Sequence, residues 1–75
     1  MPIKSYLAIP REQQKTELEN VLSTLPECEI IPSENKDVIV IVTDTPNEKD
    51  DSLLFKKINS LDQLDLITLV SAFDN

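Results

Sequence analysis

The sequence contains no glycine, no histidine and no tryptophan, and it has a single cysteine among its 75 residues. Without histidine, the chain lacks the Ser-His and Cys-His nucleophilic pairs and the imidazole ligands of metal sites. Without glycine, it has no glycine-rich phosphate-binding loop. A lone Cys28 can form neither an internal disulfide nor a CxxC metal clip. These absences exclude several common catalytic sites, so we expect a protein that is not an enzyme and needs no cofactor or metal.

Basic side chains are also scarce. Seven lysines and arginines stand against 14 aspartates and glutamates, which gives a net charge of −7. Such a charge repels phosphate backbones and anionic lipid surfaces, so we expect neither a nucleic-acid partner nor a membrane partner. It favours basic partners instead.

Long hydrophobic runs are missing as well. No stretch approaches the ~18 apolar residues that cross a bilayer, and the N-terminus lacks the pattern of a secretory signal. Hydrophobic residues nevertheless make up 40% of the chain, which is typical of a folded globule and not of an acidic disordered tail. The sequence therefore predicts one soluble cytoplasmic domain over residues 1–75.

Four runs of β-prone residues predict strands. The first alternates partly, and the third is a continuous Val/Ile run, which is typical of a central strand that is apolar on both faces. The four runs cover residues 3–9, 28–32, 38–42 and 66–73.

Two helices are predicted between these strands. Apolar residues spaced i, i+3, i+4 and i+7 indicate a helix over residues 11–25, with Pro10 suited to its first turn. Thr45, Pro46 and Glu48 form a capping-box pattern that starts the second helix. The order βαββαβ predicts a ferredoxin-like α+β fold, in which two helices cover one face of a four-stranded antiparallel sheet.

The two middle strands are predicted to form a hairpin. A polar loop at residues 33–36 would pair Pro32 with Asp37, and Asn35 would accept a positive φ in the absence of glycine.

Several acidic residues lie at the start of the second helix and in the turn before the last strand. Solvated acids are normal in the first turn of a helix, and acids in turns commonly cap backbone amides. We therefore interpret none of them as metal ligands. The solvated acids of the helix are Glu48, Asp50 and Asp51, and the capping acids of the turn are Asp62 and Asp65.

One face of the predicted sheet has nothing in the chain to cover it. Placing the bulkier alternate residues toward the helices assigns Leu7 and Ile9 to the core. The residues left facing outward are mostly apolar, with Glu29 and Asp44 at the border, and such a patch usually marks an interaction surface. A homodimer through this face, or a terminus laid over it, would be the alternatives. The predicted binding residues are Tyr6, Ala8, Glu29, Ile31, Val38, Val40, Val42, Asp44, Thr68, Val70 and Ala72.

Four short motifs, taken in order, give the chain a resemblance to a known family. They are SYLAI at 5–9, LPECEI at 25–30, VIVIV at 38–42 and ITLV at 67–70. Together they resemble the NapD-type chaperones. The resemblance implies a small cytoplasmic ferredoxin-like protein that binds the twin-arginine signal peptide of the periplasmic nitrate reductase catalytic subunit, a molybdenum enzyme. It also implies that binding prevents export until cofactor insertion is complete.

A second interpretation of the same fold comes from a different functional class. A regulatory domain of ACT type would dimerise and bind a small ligand such as an amino acid. Such modules usually place a glycine-containing turn at the ligand, and this chain has no glycine.

Overall fold

The structure, a computed structural model, describes residues 2–34 and 36–74, with only the backbone of residues 2 and 72–74. Six elements follow the predicted order βαββαβ. They are β1 (Pro2–Pro10), α1 (Lys15–Ser23), β2 (Cys28–Pro32), β3 (Ile39–Asp44), α2 (Glu48–Asn59) and β4 (Leu64–Asp74). The strands form one four-stranded sheet in the order β2-β3-β1-β4, and every neighbouring pair is antiparallel. This confirms the ferredoxin-like fold.

The hydrophobic core of the described residues lies between the helices and one face of the sheet. Leu18 and Leu22 of α1 and Leu54 and Ile58 of α2 supply its helical half, at the i, i+4 spacing that keeps side chains on one helical face. The strands supply the other half through Tyr6, Ala8, Ile39, Ile41 and Ile67. In the described part of the chain, no helix is long and apolar enough to cross a membrane.

Helix α1 is shorter than predicted, because it begins at Lys15 and not near Arg11. Pro10 ends β1, and Gln13 adopts a positive φ of 64° in the turn that follows. Arg11 is tied to the turn before β4, since its backbone amide donates to the Gln63 carbonyl (2.8 Å) and its Nε donates to the Asp62 carbonyl (2.9 Å). These tertiary hydrogen bonds hold the connection in a turn despite its helix-compatible composition.

Helix α2 begins two residues later than the capping-box pattern predicts. Asn47 is its N-cap residue, with extended backbone, and its Oδ1 accepts a hydrogen bond of 2.8 Å from the amide of Asp50. The predicted cap, Thr45, is buried, and its hydroxyl donates to the Asn47 carbonyl over 3.4 Å. Because Thr45 is buried, the next polar side chain, Asn47, caps the helix instead.

The β2–β3 hairpin pairs Pro32 with Ile39, so the predicted pairing of Pro32 with Asp37 is wrong by two residues. The connecting loop spans residues 33–38, and its base is closed by a hydrogen bond of 3.1 Å from the Ser33 amide to the Val38 carbonyl. An even shift leaves each side chain on its predicted face of the sheet.

Lysine 15 fastens this loop to α1. The Nζ of Lys15 donates to the Lys36 carbonyl (2.9 Å) and to the Ser33 carbonyl. Asn35, for which a positive φ was predicted, lies outside the described residues.

Candidate binding surface

The face of the sheet turned away from the helices is apolar, and we call it the open face. Strand alternation and cross-strand register define it, because directly paired residues share a face. Its described members are Ile3, Ser5, Leu7, Ile9, Glu29, Ile31, Val40, Val42, Asp44, Leu66, Thr68 and Ser71.

A continuous row of side chains crosses the open face from one edge strand to the other. Val40 pairs with Ile31 on one side and with Leu7 on the other, and Leu7 pairs with Thr68. Ile31 and Thr68, at the two edges, are exposed, whereas Val40 and Leu7 in the centre are half-buried by their neighbours. The row therefore offers a shallow, mostly aliphatic surface about four strands wide, roughly 14 Å from the first strand to the last.

Two carboxylates border this surface at one end of the sheet. Glu29 on β2 pairs with Val42, and Asp44 at the end of β3 pairs with Ile3. Both acidic residues are exposed, and the salt bridges found among the described residues involve neither of them. The open face thus combines an apolar centre with a negative border.

Two of the predicted binding residues, Tyr6 and Ala8, are misplaced by the sequence interpretation. Both point into the core, with exposed fractions of 4% and 0%, while Leu7 and Ile9 face outward. The small Ala8 lies beneath the helices, and the Tyr6 ring lies 5.5 Å from the ring of Phe55 on α2. The assumption that bulkier residues face the core fails here because the more aliphatic side of β1 faces outward, while Lys4 on the other side pairs with Asp51 of α2.

The predictions for β4 have mixed outcomes. Thr68 is exposed and belongs to the open face, and Val70 is also exposed. The register skips Val70, since Tyr6 pairs with Leu69 and Ser5 pairs with Ser71, so a bulge interrupts the alternation there. The backbone of Ala72 pairs with β1, but its side chain lies outside the described part of the structure.

The remaining predicted residues lie in or beside β2 and β3. Ile31, Val40 and Val42 occupy the open face as predicted. Val38 is half-buried in the hairpin loop, one residue before β3 begins.

The sequence interpretation missed Ile3, Leu7, Ile9 and Leu66 as members of the open face. The spacing of the β1 residues was visible as a run of alternating apolar side chains, but periodicity cannot say which side faces the helices. The signal that could have indicated the orientation of β1 was Lys4. It lies on the same side of β1 as Tyr6, and there it forms a salt bridge with Asp51 of α2.

Lys4 holds β1 to α2 through an ion pair on the helix side of the sheet. Its Nζ lies 2.5 Å from Asp51 and 3.2 Å from Glu48. The hydrogen bond to Asp51 raises the pKa of Lys4 above its ordinary value, against the opposing effect of burial, and Glu48 raises it further. Asp51 is only 3% exposed, so its interpretation as a solvated acid is wrong.

The single cysteine is half-buried on the helix side of β2, where it pairs with Thr43. Burial, together with the nearby Glu27 charge, raises the pKa of Cys28 to about 11, and Lys57 opposes the shift. The thiol is therefore protonated near neutral pH and is a poor nucleophile. The described residues contain no group of three or more His, Cys, Asp or Glu side chains placed to hold a metal ion.

Comparison with known proteins gives a likeness at the level of the fold. No family model matches the chain, and no curated protein matches it. Among solved structures, the solution structure of the E. coli Tat proofreading chaperone protein NapD superposes with a TM-score of 0.83. The fold resembles that of NapD. The match covers 97% of this chain and 78% of NapD at 12% sequence identity, so it confirms the resemblance drawn from the motifs as a shared fold.

Proposed function

We propose that this protein is a chaperone that binds a twin-arginine signal peptide in the cytoplasm. Its client would be the precursor of a periplasmic nitrate reductase catalytic subunit, and binding would delay export until the cofactor has been inserted. The observation that carries the proposal is the NapD-like fold, combined with an apolar open face that none of the described helices and strands covers.

The apolar centre of the open face suits the hydrophobic part of such a peptide. A helix laid across Leu7, Val40 and Val42 would bury aliphatic surface on both partners. Burial of about 400 Å² contributes about 10 kcal/mol before the costs of association and ordering. Association costs at least about 4 kcal/mol, so apolar burial leaves at most about 6 kcal/mol, which corresponds to a Kd of tens of micromolar. Tighter binding requires the charged contacts described next, and weak binding of this kind is suitable for reversible retention.

The charge of the protein suits the basic part of the peptide. The net charge of −7 attracts a cationic segment from solution, and Glu29 and Asp44 place carboxylates at the border of the open face. Charge pairs of this kind mainly increase the association rate and set the orientation of the bound peptide.

The decisive measurement is a calorimetric titration of the protein with a twin-arginine peptide from a nitrate reductase precursor. Val40→Glu introduces a carboxylate at the centre of the open face, and the bound peptide would exclude water from this carboxylate. We expect a loss of affinity of at least about 100-fold, because burying an unpaired carboxylate costs more than the ~2.7 kcal/mol that this factor represents. Ile31→Glu, at an exposed edge position, should weaken binding without threatening the fold.

A matched control places the same charge elsewhere. Asn20→Glu adds one negative charge on an exposed position of α1 and should leave affinity within about twofold. Wild-type affinity in both open-face variants would exclude the open face as the binding surface. No saturable binding of the peptide by the wild-type protein would exclude the chaperone function. A stable dimer without peptide on a sizing column would favour the ligand-binding regulatory alternative.

A further inference from the structure

A groove on the helix side of the molecule runs along α2, next to the segment that joins α1 to β2. It has a volume of about 230 Å³. Four of its lining residues follow the i, i+3, i+4, i+7 spacing of one face of α2. The residues that line it are Leu25, Glu27, Asp50, Leu53, Leu54 and Lys57.

The walls of the groove combine apolar surface with two carboxylates and the ammonium group of Lys57, so they carry a formal net charge of −1. Leu25 and Leu54 are buried, but Leu53 is 55% exposed although it is a large aliphatic side chain. Glu27 and Asp50 are exposed, and neither is part of a salt bridge among the described residues. The next residue along α2 differs sharply, since Asp51 is buried and neutralised by Lys4.

We propose that this groove binds one arginine side chain of a peptide partner. The methylene groups of the arginine would pack on Leu53 and Leu54, and its guanidinium would donate to the carboxylates of Glu27 and Asp50. A planar guanidinium with five donors can bridge two carboxylates, whereas a lysine ammonium is a point charge. The volume suits a single long side chain and is below the ~300 Å³ at which small-molecule sites usually begin.

The open face and the groove meet at the β2 edge of the sheet. Glu27 precedes Glu29 of the open face by two residues, so their Cα atoms are at most about 7 Å apart. The backbone carbonyl of Glu27 accepts a hydrogen bond of 3.0 Å from the amide of Asp44, the other border residue. One peptide can therefore lie on the open face and reach over this edge into the groove. The assignment of this arginine to a twin-arginine peptide rests on the proposed function.

The test is a double-mutant cycle between the groove and the peptide. Glu27→Gln combined with Asp50→Asn removes both carboxylates while keeping side-chain size. We expect this double variant to bind the twin-arginine peptide about 10- to 100-fold more weakly, and to bind a peptide with glutamine in place of both arginines as the wild type does. Glu12→Gln combined with Asp37→Asn removes the same charge from exposed loops and should change the affinity by less than about threefold.

A second measurement examines the groove without the peptide. N-acetyl-arginine amide, titrated into ¹⁵N-labelled protein, should shift the amide resonances of Glu27, Asp50, Leu53 and Leu54, and N-acetyl-lysine amide should shift them less. If the probe shifts none of these resonances and the groove variants bind the peptide normally, the arginine site is excluded.

The two proposals can fail separately. Loss of peptide binding in Val40→Glu but not in the groove variants would leave the chaperone proposal standing and would overturn the arginine site. Probe shifts in the groove with no binding of the precursor peptide would support the arginine site and overturn the proposed client. Equal shifts with the arginine and lysine probes would overturn the preference for guanidinium.

Discussion

Breaking the ion pair between Lys4 and Asp51 is expected to cost a large share of the stability of this domain, because it leaves a buried carboxylate unpaired. Lys4→Met keeps most of the aliphatic stem but removes the charge, leaving the carboxylate of Asp51 without its partner at 3% exposure. Removal of one member of a buried pair costs about 3–5 kcal/mol. The lower end applies here, about 3 kcal/mol, because the Lys4 side chain keeps 19% of its exposure.

A loss of about 3 kcal/mol is large relative to the total free energy of unfolding. A domain of 75 residues has a free energy of unfolding of about 4–11 kcal/mol. A loss of about 3 kcal/mol would lower the Tm by about 12–24 °C. Urea unfolding followed by tyrosine fluorescence measures this loss of unfolding free energy, since Tyr6 is the only tyrosine of the chain and packs against Phe55.

Two further variants separate the buried pair from the exposed one. Glu48→Gln removes the second partner of Lys4, but Glu48 is 65% exposed, so we expect a loss below about 1 kcal/mol. Replacing both members, as Lys4→Met with Asp51→Leu, should recover much of the stability because no uncompensated charge remains buried. If Lys4→Met proves as mild as Glu48→Gln, the Asp51 carboxylate is solvated in the variant and the reasoning fails.

The pKa shift of Lys4 also sets a pH dependence. Because the folded protein holds the Lys4 pKa above its ordinary value of 10.5, the stabilisation is fully present below that pH and is lost as the pH rises through the higher folded value. The difference in unfolding free energy between wild type and Lys4→Met should therefore be constant from about pH 6 to 9 and should narrow above about pH 10.5. A difference that already narrows between pH 7 and 9 would contradict this assignment.

Two other predictions concern Cys28 and α2. With a pKa of about 11, the Cys28 thiol should react with Ellman's reagent at pH 8 about 100-fold more slowly in the folded protein than in urea; rates within a few fold of each other would show that the thiol is not protected. Asn47→Ala should lower the unfolding free energy by about 1 kcal/mol in urea titrations, because the Asp50 amide loses its capping acceptor, whereas Asn47→Asp should be nearly neutral; equal stability of the two variants would refute the assigned cap.

Much of the fold followed from local pattern. The helical spacing of Leu18 and Leu22 and the Val/Ile run of β3 each predict one element type, and their order leaves few ways to connect them. The first and last residues of the helices and strands were less predictable. α1 begins at Lys15 because Arg11 bonds to a turn that is distant in sequence, and no local rule contains that contact.

The candidate site was predicted in part. Ile31, Val40 and Val42 were placed on the open face because the bulkier alternate residues of β2 and of β3 agree across the hairpin on which side faces the helices. Tyr6 and Ala8 were assigned to the wrong face, because the more aliphatic side of β1 faces outward and the side with Lys4 faces the helices. The groove along α2 was not visible in the sequence, since it is formed by segments that only the packed structure brings together.

The sequence by itself determined the order of the elements, the acidic charge and the existence of an apolar sheet face, because periodicity and composition are local properties. Only the tertiary structure decided which side of β1 faces the helices, where the bulge at Val70 breaks the alternation, and that Asp51 is buried against Lys4. Each of these depends on long-range packing, in which the element packed against a side chain decides its orientation and its neighbours in the chain do not.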